Sequence, residues 1–255
     1  MIMKIKLIIS FILFICIVSC STLPHKCSDN NIYLISSGSR EIRFGYTDKF
    51  GKTLIPSKYE DARQFSEGLA AVKLNRKWGF IDANDSIVIP LAYGWASSFG
   101  EYGFEGLSIV KIDNNFERGV GITSLGKTGL INKAGEVILP LSYVYIAPIV
   151  NGLALINDGS AAIEETDSYN GKYGFINSEG KIVVPCLYDR AEPFLSKISL
   201  VKKNGKWGGL NLHGKEVIQC VYDTLQRDKV DCHIIIGKIA SNSVLMDLNG
   251  KIVSQ

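Results

Sequence analysis

Two stretches of the chain share one layout 34 residues apart: KYGFINSEGKIVVPCLYD, from Lys172 to Asp189, and KWGGLNLHGKEVIQCVYD, from Lys206 to Asp223. A repeat of this length constrains the fold more than composition does. One such unit cannot bury its apolar face alone, so successive units must stack. The layout recurs along the chain. Aromatic-glycine steps occur at Phe44-Gly45, Trp78-Gly79, Tyr173-Gly174 and Trp207-Gly208, and Thr128-Gly129 joins them once the aromatic slot is allowed to vary. These glycines lie 34, 50, 45 and 34 residues apart, so the period is 34 and two units carry about 16 and 11 extra residues. A second marker agrees: Tyr59, Tyr93, Tyr143, Tyr188 and Tyr222 each follow the glycine by 14 residues.

Within a unit the pattern is that of a β-meander. A short apolar segment follows each glycine, then a turn that opens with Asp or Asn and closes with Gly, as in Asn132 to Gly135 and Asn177 to Gly180. The carboxylate or amide oxygen bonds the backbone two residues on, and glycine accepts the positive φ that closes the turn. Asp85 stands in the closing slot of the second unit as a residue that tolerates this conformation. A β-rich run ending in proline comes next, for example Ile87-Val88-Ile89-Pro90, where the missing N–H predicts the strand's end. A further strand, such as Leu69 to Lys73, leads through a turn, Asn204-Gly205 in one unit, into the next glycine step.

The unit resembles the WG repeat, a KWG-type β-repeat found in tandem in many bacterial proteins. The match rests on Trp78-Gly79-Phe80-Ile81-Asp82, on Trp207-Gly208, on Ile55-Pro56 with Tyr59-Glu60, and on Phe65, Gly68-Leu69-Ala70 and Val72, and it runs from Ile32 to Val253. Thr128 departs from the pattern at the aromatic slot, Gly209 replaces a large residue, and Ser243-Val244 has lost the WG step. The resemblance implies an all-β scaffold of roughly three-stranded antiparallel meanders and no common catalytic activity. An open twisted array is expected because propeller blades use four strands, with a closed propeller-like ring as the alternative. Trp78, Trp207, Tyr173 and the marker glycines and tyrosines are read as a packing ladder, because they recur at one register.

The N-terminus reads as a targeting segment. Lys4 and Lys6 precede an apolar run from Leu7 to Val18, too short to span a bilayer, and Ile17-Val18-Ser19-Cys20 resembles a bacterial lipobox. The expected organisation is a signal peptide over 1–19, a lipidated tether over 20–31 beginning at Cys20, and a repeat domain over 32–255 of five units plus a degenerate C-terminal cap. The lipid would anchor the protein to the bacterial envelope, at the outer membrane or cell surface rather than the inner membrane. Without Lys4 and Lys6 the chain has 26 basic against 25 acidic residues, which excludes a basic footprint for nucleic acid.

Motifs for chemistry are sparse. The three histidines, His25, His213 and His233, make no metal-ligand spacing, no CxxC pair occurs, and Gly119-Val120-Gly121 has the wrong spacing for a phosphate loop. No cofactor or metal is expected. Cys186 and Cys220 share a slot in adjacent units as small buried residues, with a disulfide between them left open. Binding residues concentrate on loops held by a rigid scaffold, which directs attention to the two insertions. One, Gly100 to Gly126, contains Tyr102, Phe104, Phe116 and Arg118; the other, Asn157 to Gly171, contains Glu164, Glu165, Asp167 and Tyr169. The expected function is an envelope interaction module whose partner is a protein or a glycan. The alternatives are an enzyme of unrecognised class on the same scaffold and a purely structural envelope component.

Overall fold

The computed structural model describes residues 31–112, 127–159 and 171–254. Within them the chain forms six antiparallel sheets in sequence order and one 3-10 turn, Glu101–Gly103, with no α-helix. Sheet 1 comprises β1 (Ile32–Ser37), β2 (Arg43–Asp48) and β3 (Thr53–Tyr59). Sheet 2 comprises β4 (Asp61–Ala62), β5 (Ala70–Leu74), β6 (Lys77–Ile81) and β7 (Ile87–Tyr93). Sheet 3 comprises β8 (Trp95–Ala96), β9 (Leu107–Lys111), β10 (Thr128–Asn132) and β11 (Val137–Tyr143). Sheet 4 comprises β12 (Tyr145–Ile146), β13 (Leu153–Asn157), β14 (Tyr173–Asn177) and β15 (Ile182–Tyr188). Sheet 5 comprises β16 (Arg190–Ala191), β17 (Ile198–Lys203), β18 (Lys206–Asn211) and β19 (Glu216–Tyr222). Sheet 6 comprises β20 (Thr224–Arg227), β21 (Ile234–Ile239), β22 (Asn242–Asp247) and β23 (Ile252–Ser254).

Sheets 2 to 6 therefore have four strands each, one more than the sequence pattern suggests. The strand that pattern misses follows the marker tyrosine and is two residues long in sheets 2 to 5, too short for an alternation of period two to register. Among the described residues sheet 1 lacks it; there the Gln64 amide donates to Ile32 O and its carbonyl accepts from Leu34 N–H, along the outer edge of β1.

One apolar cluster fills each interface between consecutive sheets. Tyr46, Ile55, Phe65 and Val72 lie between sheets 1 and 2, and Phe80, Ile89, Phe99 and Ile131 between sheets 2 and 3. Leu130, Leu139, Ile156 and Ile176 lie between sheets 3 and 4, Phe175, Val184, Phe194 and Leu210 between sheets 4 and 5, and Ile218, Leu225, Ile235 and Met246 between sheets 5 and 6. Among the described residues no cluster and no ladder joins sheet 6 to sheet 1, so the row is open. Strand number, the reason the sequence offers for an open array, is not what decides it; the missing sixth interface is.

The marker residues meet at a bulge. In sheet 2, Trp78 pairs with Tyr93 and Phe80 with Ile89, so two steps along β6 oppose four along β7. The same shift recurs after Phe44, Thr128, Tyr173 and Trp207. The proline sits inside this bulge and the strand continues past it, so proline does not end the strand as its missing N–H suggests; the bulge absorbs the missing donor. Glycine is required opposite because the bulged backbone crosses directly over it. A Cβ on Gly79 would stand 2.6 Å from Ile89 O and 2.8 Å from Leu91 N, and Gly45, Gly129, Gly174 and Gly208 are crowded in the same way.

The turns are equally uniform. Asp48 Oδ1 accepts the N–H of Phe50 and Lys52, and Asp82, Asn132, Asn177, Asn211 and Asp247 repeat both bonds. Asp85 closes its turn at φ 64°. Of the marker tyrosines, Tyr59, Tyr143 and Tyr188 are buried and Tyr93 and Tyr222 half-buried. Cys186 and Cys220 are free thiols; Cys186 packs at the sheet 3/4 interface and Cys220 at the sheet 4/5 interface.

Candidate functional site

The aromatic slot of each unit faces the next sheet, and its neighbours decide whether the interface is filled. Between sheets 2 and 3, Trp78 is buried and the Arg63 guanidinium lies over it at 5.4 Å and over Trp95 at 5.1 Å. Arg63 Nε also donates to Ala96 O at 2.8 Å, tying sheet 2 to sheet 3. Counting from the marker tyrosines, the same three slots at the sheet 3/4 interface hold Thr128, Ser97 and Tyr145. Ser97 is fully buried and turned inward, its hydroxyl accepting from Ile109 N–H at 2.9 Å. A tryptophan and an arginine are thus exchanged for two small side chains, and a pocket of about 310 Å³ opens between sheets 3 and 4.

The aromatic walls of this pocket are Trp95, Tyr102 and Tyr145. Aliphatic surface comes from Ile109, Val144, Ile146 and Pro148, and among the described residues the non-aromatic polar side chains of the lining are Lys111 and Thr128. In the ladder Lys111 stands opposite Trp95 on one side and Thr128 on the other, so three lining residues are set by strand pairing rather than by loop conformation. Lys111 has no carboxylate partner among the described residues.

Tyr102 reaches the pocket from the 3-10 turn, which is pinned on both sides. Its carbonyl accepts from Ile149 N–H of sheet 4's leading segment at 2.8 Å, and Glu67 of sheet 2 accepts from Gly106 N–H at 3.0 Å while pairing with Lys133 at 3.0 Å. Tyr102 itself is held at φ 61°, a conformation that costs a non-glycine residue strain and that clusters at functional sites. Burial, and then the Glu101 carboxylate, push its phenol above the ordinary range.

Described residues of the first insertion and its ends, Tyr102, Lys111 and Thr128, line this pocket. The first is split: compared with sheet 2, four extra residues lie between Phe99 and Leu107 and twelve between Lys111 and Thr128. The second places all eleven between Asn157 and Tyr173. The twelve- and eleven-residue parts occupy the same hairpin position in the sequence of adjacent sheets, and the described residues beside them meet where Lys127 Nζ donates to Asp158 O at 3.2 Å. Elsewhere that hairpin is tight and capped by the acid that follows the previous sheet's marker tyrosine. Asp189 pairs with Lys172 and accepts from Gly205 N–H at 3.3 Å, and Asp223 pairs with Lys206 and accepts from Ala240 N–H at 2.7 Å. These pairings hold both carboxyls below the usual range. Before the two expanded hairpins the acid slot holds Gly94 and Val144 instead.

The structure separates the insertion residues singled out from sequence. Tyr102 lines the pocket. Phe104 is fully buried, packed with Leu130 and Leu139 in the sheet 3/4 cluster, and so belongs to the core. It sits where the smaller Leu130 and Ile149 replace the Phe-Phe pairs of the neighbouring interfaces, such as Phe80 with Phe99 at 4.8 Å. Phe116, Arg118, Glu164, Glu165, Asp167 and Tyr169 lie outside the described residues, as does Cys20. Trp95, Lys111 and Tyr145 were not singled out. The signal was there: the slot two residues after the marker tyrosine reads Asp61, Trp95, Tyr145, Arg190 and Thr224, and the two aromatics flank the unit that has Thr128 in its aromatic slot. A cluster of metal-ligating types, Asp231, Cys232 and His233, is exposed, and its Asp231 oxygen is already engaged by His233.

A family model described as the WG containing repeat matches residues 44–78, 78–116, 129–160 and 173–207, more than half of the chain. The chain belongs to the WG-repeat family. The third match begins at Gly129, one residue after the Thr128 that opens the pocket. No curated protein matches this WG-repeat chain significantly. Solved structures similar to it include the AfRom2 CNH domain, at 10% identity and a TM-score of 0.33 over 89% of this chain and 86% of that one. The β-propeller domain of the Trilobed protease from Pyrococcus furiosus is similar at 9% identity and TM-score 0.34, over 87% and 77%. A protein of unknown function from Bacteroides caccae is similar at 12% identity and TM-score 0.28, over 88% and 92%. These scores are too low to carry any property over to the WG-repeat chain.

Proposed function

We propose that this WG-repeat protein is a lipid-anchored binding module of the bacterial envelope, with its ligand site in the pocket between sheets 3 and 4. The observation that carries the reading is local: at one of five equivalent interfaces the packing residues are exchanged for small ones, and the vacated space is walled by aromatics on paired strands. A rigid aromatic-lined cleft with a few placed polar groups is the form that ligand sites take. Among the described residues the lining is mostly ring and aliphatic surface with two placed polar groups, Lys111 and Thr128, and this composition supports a binding role. The partner is an envelope protein or a glycan, and the anchor is the lipid on Cys20, placing the module at the outer membrane or cell surface.

Two measurements test this. Replacing Cys20 with Ser is expected to move the protein out of the membrane fraction; unchanged membrane association removes the anchor. Full-length protein solubilised from native envelope is expected to co-purify with a partner that Trp95→Ala and Tyr145→Ala lose, while both variants still unfold cooperatively, Trp95→Ala at a lower midpoint. Retention of the partner by both would place binding elsewhere on the scaffold.

A further inference from the structure

We infer that the pocket between sheets 3 and 4 takes an apolar, ring-sized group carrying a carboxylate, supplied either by a free aromatic acid or by the C-terminal residue of a polypeptide. This deepens, and rests on, the reading of that pocket as the ligand site.

Size comes first. At about 310 Å³ the pocket lies at the lower end of small-ligand pockets, enough for one ring and its substituent. The walls come next: Trp95, Tyr102 and Tyr145 offer ring faces, and Arg63 covers Trp95 from sheet 2, leaving the sheet 4 side to the pocket. A sugar would bring several hydroxyls into a space whose non-aromatic polar side chains are Lys111 and Thr128, and buried hydroxyls without partners are costly. An aromatic ring carries no such cost and gains stacking with the walls.

Charge decides the remainder. Lys111 is held at the end of β9 between Trp95 and Thr128, among rings, with no carboxylate facing it among the described residues and none in the lining. Glu101, beside Tyr102, is committed to Ser98 N–H at 2.8 Å. A cation at an apolar wall favours an incoming anion through a charge-assisted hydrogen bond, and the Thr128 hydroxyl stands opposite Lys111 in the ladder as a second donor.

The test is calorimetric titration of the full-length protein in mild detergent with four probes: N-acetyl-phenylalanine, its C-terminal amide, the tripeptide Gly-Gly-Phe, and digalacturonate. N-acetyl-phenylalanine is expected to bind at least ~10-fold more tightly than its amide, as loss of a charge-assisted bond implies. Lys111→Met should abolish that difference and Lys111→Arg should keep it, which a structural role for the lysine would not do. Tighter binding of Gly-Gly-Phe than of N-acetyl-phenylalanine identifies a polypeptide terminus as the source; weaker binding identifies a free acid. Equal affinity for acid and amide, preference for digalacturonate, or no binding of any probe overturns the inference. If the envelope partner is nevertheless lost in Trp95→Ala, the binding-module reading stands and only the ligand chemistry falls.

Discussion

The interface between sheets 2 and 3 and the interface between sheets 3 and 4 are built from the same slots and end up with opposite properties. The first closes around Trp78, Arg63 and Trp95; the second, with Thr128, Ser97 and Tyr145, leaves a pocket beside Lys111, which has no carboxylate partner among the described residues. A stacked repeat makes such a change affordable. Each sheet contacts only its neighbours, so loosening one interface leaves the other four clusters intact. On the proposed reading, binding capacity in this fold is a local departure from the repeat, and residues in one slot act as cement in one interface and as a wall of the pocket in the next.

The comparison is broken most severely at the bulge both interfaces share. Gly79→Val drives a side chain into Ile89 O and the bulged backbone, contacts already under 3 Å for a Cβ alone, and is expected to prevent cooperative folding. The control is Gly68→Ala, where φ is +89° but no atom lies within 4 Å; urea denaturation should show a loss of only about 1 kcal/mol there. If the two cost the same, crowding is not the reason for the glycine.

Trp78→Thr imports the open interface's residue into the closed one. It is expected to cost about 3 kcal/mol, in line with large-to-small core substitutions, and should be measured by the same denaturation. Arg63→Ala, which removes both ring contacts and the bond to Ala96 O, should cost about 1–2 kcal/mol. A neutral Trp78→Thr would mean that the slot is not packed as described.

The smallest effect concerns the acid caps that the pocket sheets lack. Asp189 and Asp223 have carboxyls lowered below their unfolded values, chiefly by Lys172 and Lys206. Their contribution is therefore present above the unfolded pKa of about 4 and disappears as pH falls through the lower folded value. Asp189→Asn and Asp223→Asn should lower the thermal midpoint slightly at pH 7 and leave it unchanged near pH 2. A deficit that persists at pH 2 would indicate a role for these residues other than charge.

Much of this architecture can be read from spacing alone. Constant offsets between glycine and tyrosine reveal the unit, and the Asx turns at Asp48, Asn132 and Asn177 follow from residue type. Alternation does not reveal Asp61–Ala62 and its counterparts, because two residues carry no period. Proline at position 90 reads as a stop because a missing N–H is visible in sequence, whereas a bulge that tolerates it is a property of two paired strands. Openness of the row depends on contacts between sheets 1 and 6, which no local pattern encodes. At the site, Tyr102 stands out because it lies in an insertion, but Phe104 four residues from Gly100 looks equally available and is core. Lys111 looks like one more lysine at a strand end until register sets it between Trp95 and Thr128.

On the proposed reading, the missing aromatic at Thr128 creates the binding site. Thr128→Trp restores the repeat's own residue, and the decisive measurement is its thermal midpoint together with its retention of the envelope partner. An unchanged or higher midpoint is expected, because the new ring fills existing space, together with loss of the partner. A protein that keeps its partner, or that loses stability as an overpacked core would, contradicts it.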